Sequence, residues 1–454
     1  MPPLPVMSDN FGLSGDAKAK LLARLSNRAP AQAEHHAPSK PPLGRPEVMA
    51  DLSMVRRAGE ALGIRNPYFR PHEGISGATA VIDGKTYDNF VSYNYIGLNG
   101  DPRVSQAAKE AVDLYGTSVS ASRIVSGERS IHREFEQALA EVYQAEDAVV
   151  LVSGHATNVT VIGHLVGRDD LILHDSLSHN SIVQGALASG AQRIAFPHND
   201  MDELERLLGG ARTNANRALI VVEGHYSMDG DVPDLARLVA IAKAYGAHLM
   251  VDEAHSLGVL GARGHGIFEY ADVNPGDVDI WMGTLSKTLS GCGGYIAGSS
   301  ELIEYLKSSA PGFVYSVGLA PPLAAAGLES LRIMHQEPER VAKLQANGRL
   351  FLDAARAEGL DTGPSIGAAI VPVMTGSSIV AARTADRLFD RGINVQPIIY
   401  PAVPEQAARL RFFLSSLHEP GQLERVAKTV AEVLAEVRAE RVDLGALASR
   451  LAAE

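Results

Sequence analysis

Apolar runs of strand length alternate with amphipathic helical segments between about residues 147 and 300. The runs AVVLV, LILH, RIAF, ALIVVE, AHLMV, DIWMGT and YIAGS have the length and bounding polar residues of strands. Between several of them, stretches such as DELERLL and LARLVAIAKAYG repeat apolar residues at helical spacing. The pattern therefore predicts an α/β fold, in which helices cover both faces of a mostly parallel, seven-stranded sheet.

The pattern changes after about residue 320. A long helical region opens at Pro321 and Pro322 and extends to about Glu358. The runs AAIVPVM, NVQPI and RLRFFLS follow as strands, with a helix over 378–391 and another at the C-terminus. This pattern is typical of a smaller α+β domain. We predict an N-terminal segment over 49–100, a large domain over 101–335 and a small C-terminal domain over 336–454.

Residues 1–48 differ in composition from the rest of the chain. Proline, alanine and serine dominate, as in APAQAEHHAPSKPPLGRP, which predicts a flexible arm. Within it, DAKAKLLARL has helical leucine spacing and is either a short docking helix or a weakly helical linker. The first residues lack the basic and apolar parts of a secretory signal.

Charge and cysteine content narrow the class of protein. The 41 basic and 53 acidic residues give a net charge of −12 without a basic run, so we expect no nucleic-acid partner. Cys292 is the single cysteine, which excludes an internal disulfide and a cysteine-based metal site; we expect no metal. A cytoplasmic protein fits these features, and so does a peripheral enzyme at the inner face of a membrane.

Polar residues follow the strand AHLMV in the segment VDEAHSLG. Asp252 and His255 lie at the carboxyl end of this strand, where active sites of open α/β sheets form. A carboxylate in this place binds a metal, a sugar or a protonated ring nitrogen, or caps the next turn.

A lysine follows the strand DIWMG in the segment GTLSKTLSGCGG. Lys287 is flanked by hydroxyl residues, including Thr284, and is followed by glycines. A desolvated lysine is a nucleophile, and hydroxyl groups beside it suit phosphate oxygens. The alternative is an exposed loop lysine. Neither a GxGxxG motif nor a P-loop is present.

The segment VSGHATN follows the strand AVVLV. Gly154 would let the backbone approach a ligand, and the N-terminus of the next helix favours phosphate. An ordinary strand-to-helix turn is the alternative. Taken together, the three strand ends supply a nucleophilic lysine, a carboxylate for a ring nitrogen and a phosphate cup, which pyridoxal 5'-phosphate requires.

Several segments together resemble the α-oxoamine synthases, which are fold-type I pyridoxal-phosphate (PLP) enzymes. The resemblance extends from about residue 60 to the C-terminus and includes VDEAHSLGVLGARGHG, GTLSKTLSGCGGYIAG, VVEGHYSMDGD and ARLRFFLSSLHE. It implies that the large domain binds PLP, and it is closest to serine palmitoyltransferase around GTLSKTLSGCGG. One departure is Ile399, which stands near a position where some bacterial serine palmitoyltransferases carry a second arginine.

The resemblance also implies roles for individual residues. Those expected to be catalytic are Lys287, the Schiff-base lysine, Asp252, the partner of the pyridine nitrogen, His255, near the phenolic oxygen, and His179, which stacks on the ring. The other cofactor contacts are Ser227 near the phenolic oxygen and Gly154, His155 and Thr284 at the phosphate. Asn94 and Arg411 are expected to hold the substrate carboxylate, whereas Glu223 and Asp229 are expected to be structural.

The activity implied by the resemblance is a decarboxylating condensation of an amino acid with an acyl thioester, carried by coenzyme A or an acyl-carrier protein. L-serine and a long acyl chain are the first expectation, with glycine or alanine as variants. A fold-type I aminotransferase or lyase is an alternative from another class, and a non-catalytic subunit would be expected to lack Lys287. The family further implies a homodimer, to whose shared site the segment YSVGLAPP would contribute.

Overall fold

The computed structural model describes residues 43–440, which divide into two compact units. One unit comprises residues 72–373 and 411–428, and the other comprises the described residues of 43–71, 374–410 and 429–440. The predicted division into segments over 49–100, 101–335 and 336–454 remains a prediction. The predicted helix DAKAKLLARL and nearly all of the predicted arm lie outside the described residues.

The larger unit is built on a seven-stranded sheet with the order β3-β9-β8-β7-β6-β4-β5. Neighbouring strands run parallel except at β9, which is antiparallel to both β3 and β8. This confirms the predicted α/β fold with a mostly parallel sheet. The strands are β3 (Asp147–Leu151), β4 (Leu171–Asp175), β5 (Gln192–Phe196), β6 (Ala218–Glu223), β7 (His248–Asp252), β8 (Ile280–Thr284) and β9 (Gly294–Gly298), and a separate hairpin of β1 (Thr79–Ile82) and β2 (Lys85–Asn89) precedes them.

Helices surround this sheet because its central strands are apolar on both faces. Every residue of β4 and β6 is buried, as expected for parallel strands covered on both sides. On one face, Val161 and Ile162 pack in the same core cluster as Ile172 and Val221. Trp281 of β8 packs against aromatic side chains, and the ring of Tyr143 stacks on it with 5.1 Å between the centroids.

The remaining elements complete the described chain. The helices are α1 (Pro46–Ala61), α2 (Pro102–Tyr115), α3 (Ser130–Tyr143), α4 (Gly154–Leu165), α5 (Asn180–Ser189), α6 (Met201–Ala211), α7 (Leu235–Tyr245), α8 (Ile267–Tyr270), α9 (Ser300–Ser309), α10 (Pro311–Val314), α11 (Pro321–Gln336), α12 (Glu339–Ala357), α13 (Ser378–Asp390) and α14 (Pro420–Ala439). The later strands are β10 (Ile370–Met374), β11 (Ile393–Asn394), β12 (Gln396–Ile398) and β13 (Arg409–Phe413). A π-helix (Arg123–Gly127) and three 3₁₀ turns (Arg212–Asn214, Pro275–Asp277 and Glu405–Ala407) connect them.

The helical region predicted from Pro321 to about Glu358 is two helices, α11 and α12. The break falls at Pro338, which lacks a backbone N–H and therefore cannot continue the helix that precedes it. Over residues 43–440, no helix combines the length and the apolar character that a bilayer crossing requires.

Candidate active site

The polar strand ends predicted from sequence meet at one edge of the sheet. Strands β6, β7 and β8 are parallel neighbours, and their register pairs Glu223 with Asp252 and Asp252 with Met282. Thr284 ends β8, and Lys287 follows three residues later. A carboxylate, a second carboxylate and an amine therefore project from adjacent carboxyl ends, where ligands bind in open α/β sheets.

Asp252 is buried and held by two hydrogen bonds. Its Oδ2 accepts from Nδ2 of Asn158 at 2.8 Å, and its Oδ1 accepts from the backbone N–H of Ala254 at 2.9 Å. Two donors fix the plane of the carboxylate. The arrangement suits a carboxylate that accepts a further hydrogen bond from a protonated ring nitrogen.

Lys287 is half-buried at this edge, and its Nζ lies 5.4 Å from the ring centroid of Tyr93. Burial disfavours the ammonium form and lowers the pKa of Lys287 to about 8, although the negative charges of Asp252 and Glu223 act in the opposite direction. An amine with this pKa is substantially neutral in mildly alkaline solution. Lys287 therefore has the chemistry of a nucleophile and of a general base.

His255 is buried beside the lysine, and its Nδ1 lies 2.7 Å from the hydroxyl of Tyr95. Burial first, and then the charge of Lys287, lower the pKa of His255 well below its usual range, so the ring is neutral. A phenol is the stronger donor of this pair, which places the imidazole proton on Nε2. The ring also stacks on Phe413, with 6.3 Å between centroids.

His179 is the N-cap residue of α5, and Glu223 fixes its backbone. The N–H of His179 donates to Oε1 of Glu223 at 2.6 Å, while the imidazole Nδ1 accepts from the backbone N–H of Ser181 at 3.3 Å. Burial raises the pKa of Glu223 to about 8, and the charge of Asp252 adds to the effect. The expectation that Glu223 is structural remains a prediction; its carboxylate positions a residue of the site.

Ser227 and Arg411 meet at the same edge. The backbone N–H of Ser227 donates to Oε2 of Glu223 at 3.3 Å, and its carbonyl oxygen accepts from Nη1 of Arg411 at 3.0 Å. The guanidinium of Arg411 lies over Phe413, 4.6 Å from the ring centroid. An arginine held in this way can present its fork to a carboxylate.

Helix α4 closely approaches the end of β8 at the place where the phosphate cup is predicted, and the cup itself remains a prediction. Ser153 caps α4, and a Cβ on Gly154 would lie 2.6 Å from Oγ1 of Thr284. The Thr284 hydroxyl donates to the carbonyl of Gly293 at 3.1 Å. The first N–H groups of α4 can therefore face a phosphate, and the Thr284 hydroxyl lies beside them. His155 is exposed at the rim, and its ring centroid lies 6.2 Å from that of His179.

The side chain of Asn94 forms hydrogen bonds with backbone groups of its own loop and of a neighbouring one. Its Nδ2 donates to the carbonyl oxygens of Ser76 and Asn99, at 3.3 and 3.0 Å, and its Oδ1 accepts from the N–H of Asn99 at 3.0 Å. These bonds stabilise the turn after residue 94. The predicted contact of Asn94 with a substrate carboxylate remains a prediction, and the structure adds a local structural role.

Sequence reasoning did not find several residues of the site, among them Asn158, Tyr95 and Tyr93. The two tyrosines flank Asn94 in the segment SYNYIGL, so their position beside an expected site residue was the available signal. Asn158 lies one helical turn after Gly154, on the side of α4 that faces Asp252.

The residues present fit pyridoxal phosphate. A Cβ at position 154 would collide with Thr284, so Gly154 is required there. The backbone N–H groups that follow Gly154 can then face a phosphate, with the Thr284 hydroxyl beside them. The buried Asp252 matches a ring nitrogen, and the lowered pKa of Lys287 matches an amine that reacts with an aldehyde. Fold and site together define a fold-type I PLP-dependent transferase.

Comparisons with known proteins agree with this class. The model of the family "Aminotransferase class I and II" matches residues 87–430. An 8-amino-7-oxononanoate synthase of Geobacter sulfurreducens is 42% identical over 389 residues, covering 85% of this chain and 97% of the relative. One of Thermosipho melanesiensis is 41% identical over 357 residues, covering 79% and 90%.

Among solved structures, a serine palmitoyltransferase from S. paucimobilis with bound PLP and myriocin superposes with a TM-score of 0.83. Its sequence is 30% identical, and the match covers 87% of this chain and 99% of that chain. The chain belongs to the class I and II aminotransferase family and, within it, to the α-oxoamine synthases.

Proposed function

We propose that this enzyme joins L-alanine to the thioester of a seven-carbon dicarboxylic acid, with loss of carbon dioxide and free thiol, to give 8-amino-7-oxononanoate. The coarser reaction, an α-oxoamine synthase condensation, is common to the relatives and structural neighbours of this chain. The observation that carries it in this chain is the meeting at one sheet edge of Lys287, an amine with a pKa of about 8, and Arg411, whose guanidinium fork can bind a carboxylate.

The name of the relatives' product supports alanine over serine. A nine-carbon acid with its amine on carbon 8 and its ketone on carbon 7 contains the fragment CH₃–CH(NH₂) beside the ketone. That fragment is alanine without its carboxyl group, and the other seven carbons form an acyl group with a terminal carboxylate. Relatives with this name are 41% and 42% identical to the chain, which favours this variant over the serine reaction expected from the motifs.

L-serine with a long-chain acyl thioester, giving 3-ketosphinganine, is the second candidate. It is supported by the TM-score of 0.83 to a serine palmitoyltransferase, at 30% identity. The two candidates share the cofactor and the amino-acid carboxylate, so the residues described above serve both. They differ in the amino-acid side chain and in the acyl group.

When bound, pyridoxal phosphate supplies an aldehyde for amines and a ring that accepts the electron pair released at the α-carbon of the amino acid. Lys287 would hold this group and receive the α-proton at Nζ. Asp252 would keep the ring nitrogen protonated, and His179 would lie against the ring. His255 and Ser227 would lie near the phenolic oxygen; Gly154, His155 and Thr284 would hold the phosphate.

The substrate would be oriented by Arg411. Its guanidinium is already fixed by Ser227 and Phe413, so little side-chain freedom is lost when it binds the amino-acid carboxylate. The acyl carrier is coenzyme A or an acyl-carrier protein.

A homodimer is also part of the proposal. Ile124, Val125, Tyr315 and Val317 have exposed fractions of 54, 78, 86 and 48%, and a hydrogen bond of 3.1 Å from Gly318 N–H to the carbonyl of Ala121 joins their segments. An exposed apolar patch of this kind is typical of an interface. Light scattering should give the mass of two chains.

The test is a two-by-two assay of L-alanine and L-serine against pimeloyl and palmitoyl thioesters, with release of carbon dioxide and thiol as readouts. We expect turnover with alanine and pimeloyl thioester, and none with Lys287→Ala. Turnover confined to serine and palmitoyl thioester would establish the second candidate. Conversion of the amino acid to a keto acid without thiol release would overturn both and identify an aminotransferase.

A further inference from the structure

A chain of hydrogen bonds, here called the relay, connects Asp252 to His179 through Asn158 and Ser181. Nδ2 of Asn158 donates to Oδ2 of Asp252 at 2.8 Å and to Oγ of Ser181 at 2.9 Å. Oγ of Ser181 lies 2.7 Å from Nδ1 of His179. Asn158 and Ser181 are each 1% exposed, so water does not compete for these bonds.

The direction of each bond follows from its partners. The Asp252 carboxylate only accepts, so the amide of Asn158 presents its NH₂ group to Asp252 and Ser181. Since the Ser181 hydroxyl accepts from Asn158, its own hydrogen is available to Nδ1 of His179. The backbone N–H of Ser181 also donates to that Nδ1, at 3.3 Å, which requires a lone pair there.

The bonds therefore select one tautomer of His179. With Nδ1 as an acceptor, the neutral imidazole carries its proton on Nε2. Partial burial lowers the pKa of His179, which favours the neutral ring. The relay thus fixes both the protonation pattern and the rotation of this ring relative to the Asp252 carboxylate.

The amide of Asn158 is held in this orientation at a cost. Its Oδ1 is buried and accepts no hydrogen bond from the part of the chain that the structure describes. A buried carbonyl oxygen without a donor destabilises a fold, and an apolar side chain of similar size would avoid the loss. An asparagine is nevertheless expected here because its NH₂ group donates to both Asp252 and Ser181.

We propose that Asn158 and Ser181 are positioning residues that lock His179 to Asp252. The inference rests on the proposed cofactor: Asp252 would meet the ring nitrogen at the edge, and His179 would cover the ring face. Because the relay joins Asp252 to His179, the two side chains would bind the cofactor ring as one rigid unit. Neither Asn158 nor Ser181 needs to touch the cofactor for this purpose.

The first test measures the affinity of the apoprotein for pyridoxal phosphate by absorbance titration. We expect Ser181→Ala to weaken binding about fivefold. Asn158→Leu should weaken it about twentyfold, because this variant loses the charge-assisted bond to Asp252. If the relay acts as one unit, the double variant binds no more weakly than Asn158→Leu alone. Ser181→Thr, which keeps the hydroxyl, should restore binding; Ser330→Ala removes another buried hydroxyl and should leave it unchanged.

The second test needs no cofactor. In apoprotein labelled with ¹⁵N-histidine, the His179 signals, assigned by their loss in His179→Asn, should show the Nε2–H tautomer. Ser181→Ala leaves Nδ1 only the longer bond from the backbone N–H, so part of the population should shift to the Nδ1–H tautomer, and Ser181→Thr should recover the wild-type signals. A purely structural role of Ser181 would not alter the tautomer, so this readout also decides the question if Asn158→Leu does not fold.

Opposite outcomes separate this inference from the proposed function. Wild-type apoprotein that takes up no pyridoxal phosphate would overturn both. If wild type binds the cofactor while Ser181→Ala binds equally well and keeps the Nε2–H tautomer, only the relay is wrong. Multiplicative effects of the two substitutions would likewise show independent residues and contradict the relay.

Discussion

Glu223 accepts a hydrogen bond of 2.6 Å from the backbone N–H of His179. Its other carboxylate oxygen accepts from the N–H of Ser227, so one buried side chain positions two segments of the site. Burial raises the pKa of Glu223 to about 8, and the carboxyl is therefore protonated through much of the neutral range. The neutral acid resembles an amide, whereas the carboxylate accepts with both oxygens.

The variant Glu223→Gln should consequently differ from wild type most in alkaline solution. We expect similar kcat/KM values at pH 6.5 and a loss of about tenfold in the variant above pH 8, or ~1.4 kcal/mol. The free energy of unfolding should show the opposite trend. Because the pKa of Glu223 is raised, wild type loses the stability that the protonated carboxyl contributes as pH rises through about 8, and the glutamine variant does not. Kinetics and chemical denaturation at both pH values test this, with Glu203→Gln, in an ion pair with Arg206 away from the site, as control. A ratio of kcat/KM that stays constant with pH would contradict it.

Capture of pyridoxal phosphate by the apoprotein should depend on the ionisation of Lys287. Only the neutral amine attacks an aldehyde, and burial lowers the pKa of Lys287 to about 8. The second-order rate constant, followed by absorbance, should rise about tenfold per pH unit below pH 8 and level off above it. Lys287→Ala should show no covalent capture, while Lys243→Ala, at an exposed ion pair, should behave as wild type. A rate that still rises steeply from pH 9 to 10 would exclude the lowered pKa.

The phosphate cup should be sensitive to a single methyl group. In Gly154→Ala the new Cβ would lie 2.6 Å from Oγ1 of Thr284, so helix α4 or the threonine has to move. We expect the Kd of the apoprotein for pyridoxal phosphate to rise about thirtyfold, ~2 kcal/mol. Gly167→Ala is the matched control, because nothing lies within 4 Å of a Cβ there. Equal dissociation constants for the two variants would remove Gly154 from the cup.

The strand-end residues of the site could be predicted from sequence, because the carboxyl ends of parallel strands meet wherever such a sheet forms. This holds for Asp252 and Lys287. The partner of Asp252, Asn158, is 94 positions away, and Tyr95 is 160 positions from His255, so only the folded chain brings these pairs together.

The choice of amino acid is less accessible to motif reasoning. The motifs around Lys287 and Arg411 are those expected to bind the cofactor and the amino-acid carboxylate, which both candidate reactions use. They therefore predicted the reaction class, while the proposal of alanine in place of serine rests on the comparison with relatives. Asn94 shows the same limit at a single residue, since its loop bonds depend on how the chain turns after β2.

Arg411 should control the affinity for the amino acid rather than the rate of the chemical steps. Its guanidinium donates to the carbonyl of Ser227 and lies on Phe413, and a lysine cannot make both contacts and still present a fork. In Arg411→Lys we expect KM for the amino acid to rise about thirtyfold, ~2 kcal/mol, with a smaller change in kcat. Arg425→Lys, in an exposed pair with Asp88, is the control. A variant with normal KM and reduced kcat would place Arg411 elsewhere in the reaction.

His198 joins two carboxylates behind the site. Its Nδ1 and Nε2 each lie 2.9 Å from a carboxylate oxygen, of Asp175 and Asp231 respectively. Burial alone would lower the pKa of His198, but the bonds to both aspartates prevail and raise it to about 10. The imidazolium therefore ties the end of β4 to the loop that follows Ser227.

The free energy of unfolding should depend on pH because of the ion pairs that His198 forms with Asp175 and Asp231. Because the pKa of His198 is raised, the stabilisation is complete below pH 6.5 and is lost as pH rises towards about 10. Replacement by glutamine leaves two buried carboxylates without a cation, so His198→Gln should lower the free energy of unfolding by about 3 kcal/mol at pH 6. The difference from wild type should shrink between pH 6.5 and 10 in chemical denaturation. His248→Gln, at an exposed pair with Asp279, should cost under about 1 kcal/mol. A difference that is the same at pH 6 and pH 10 would show that His198 acts through packing and not through its charge.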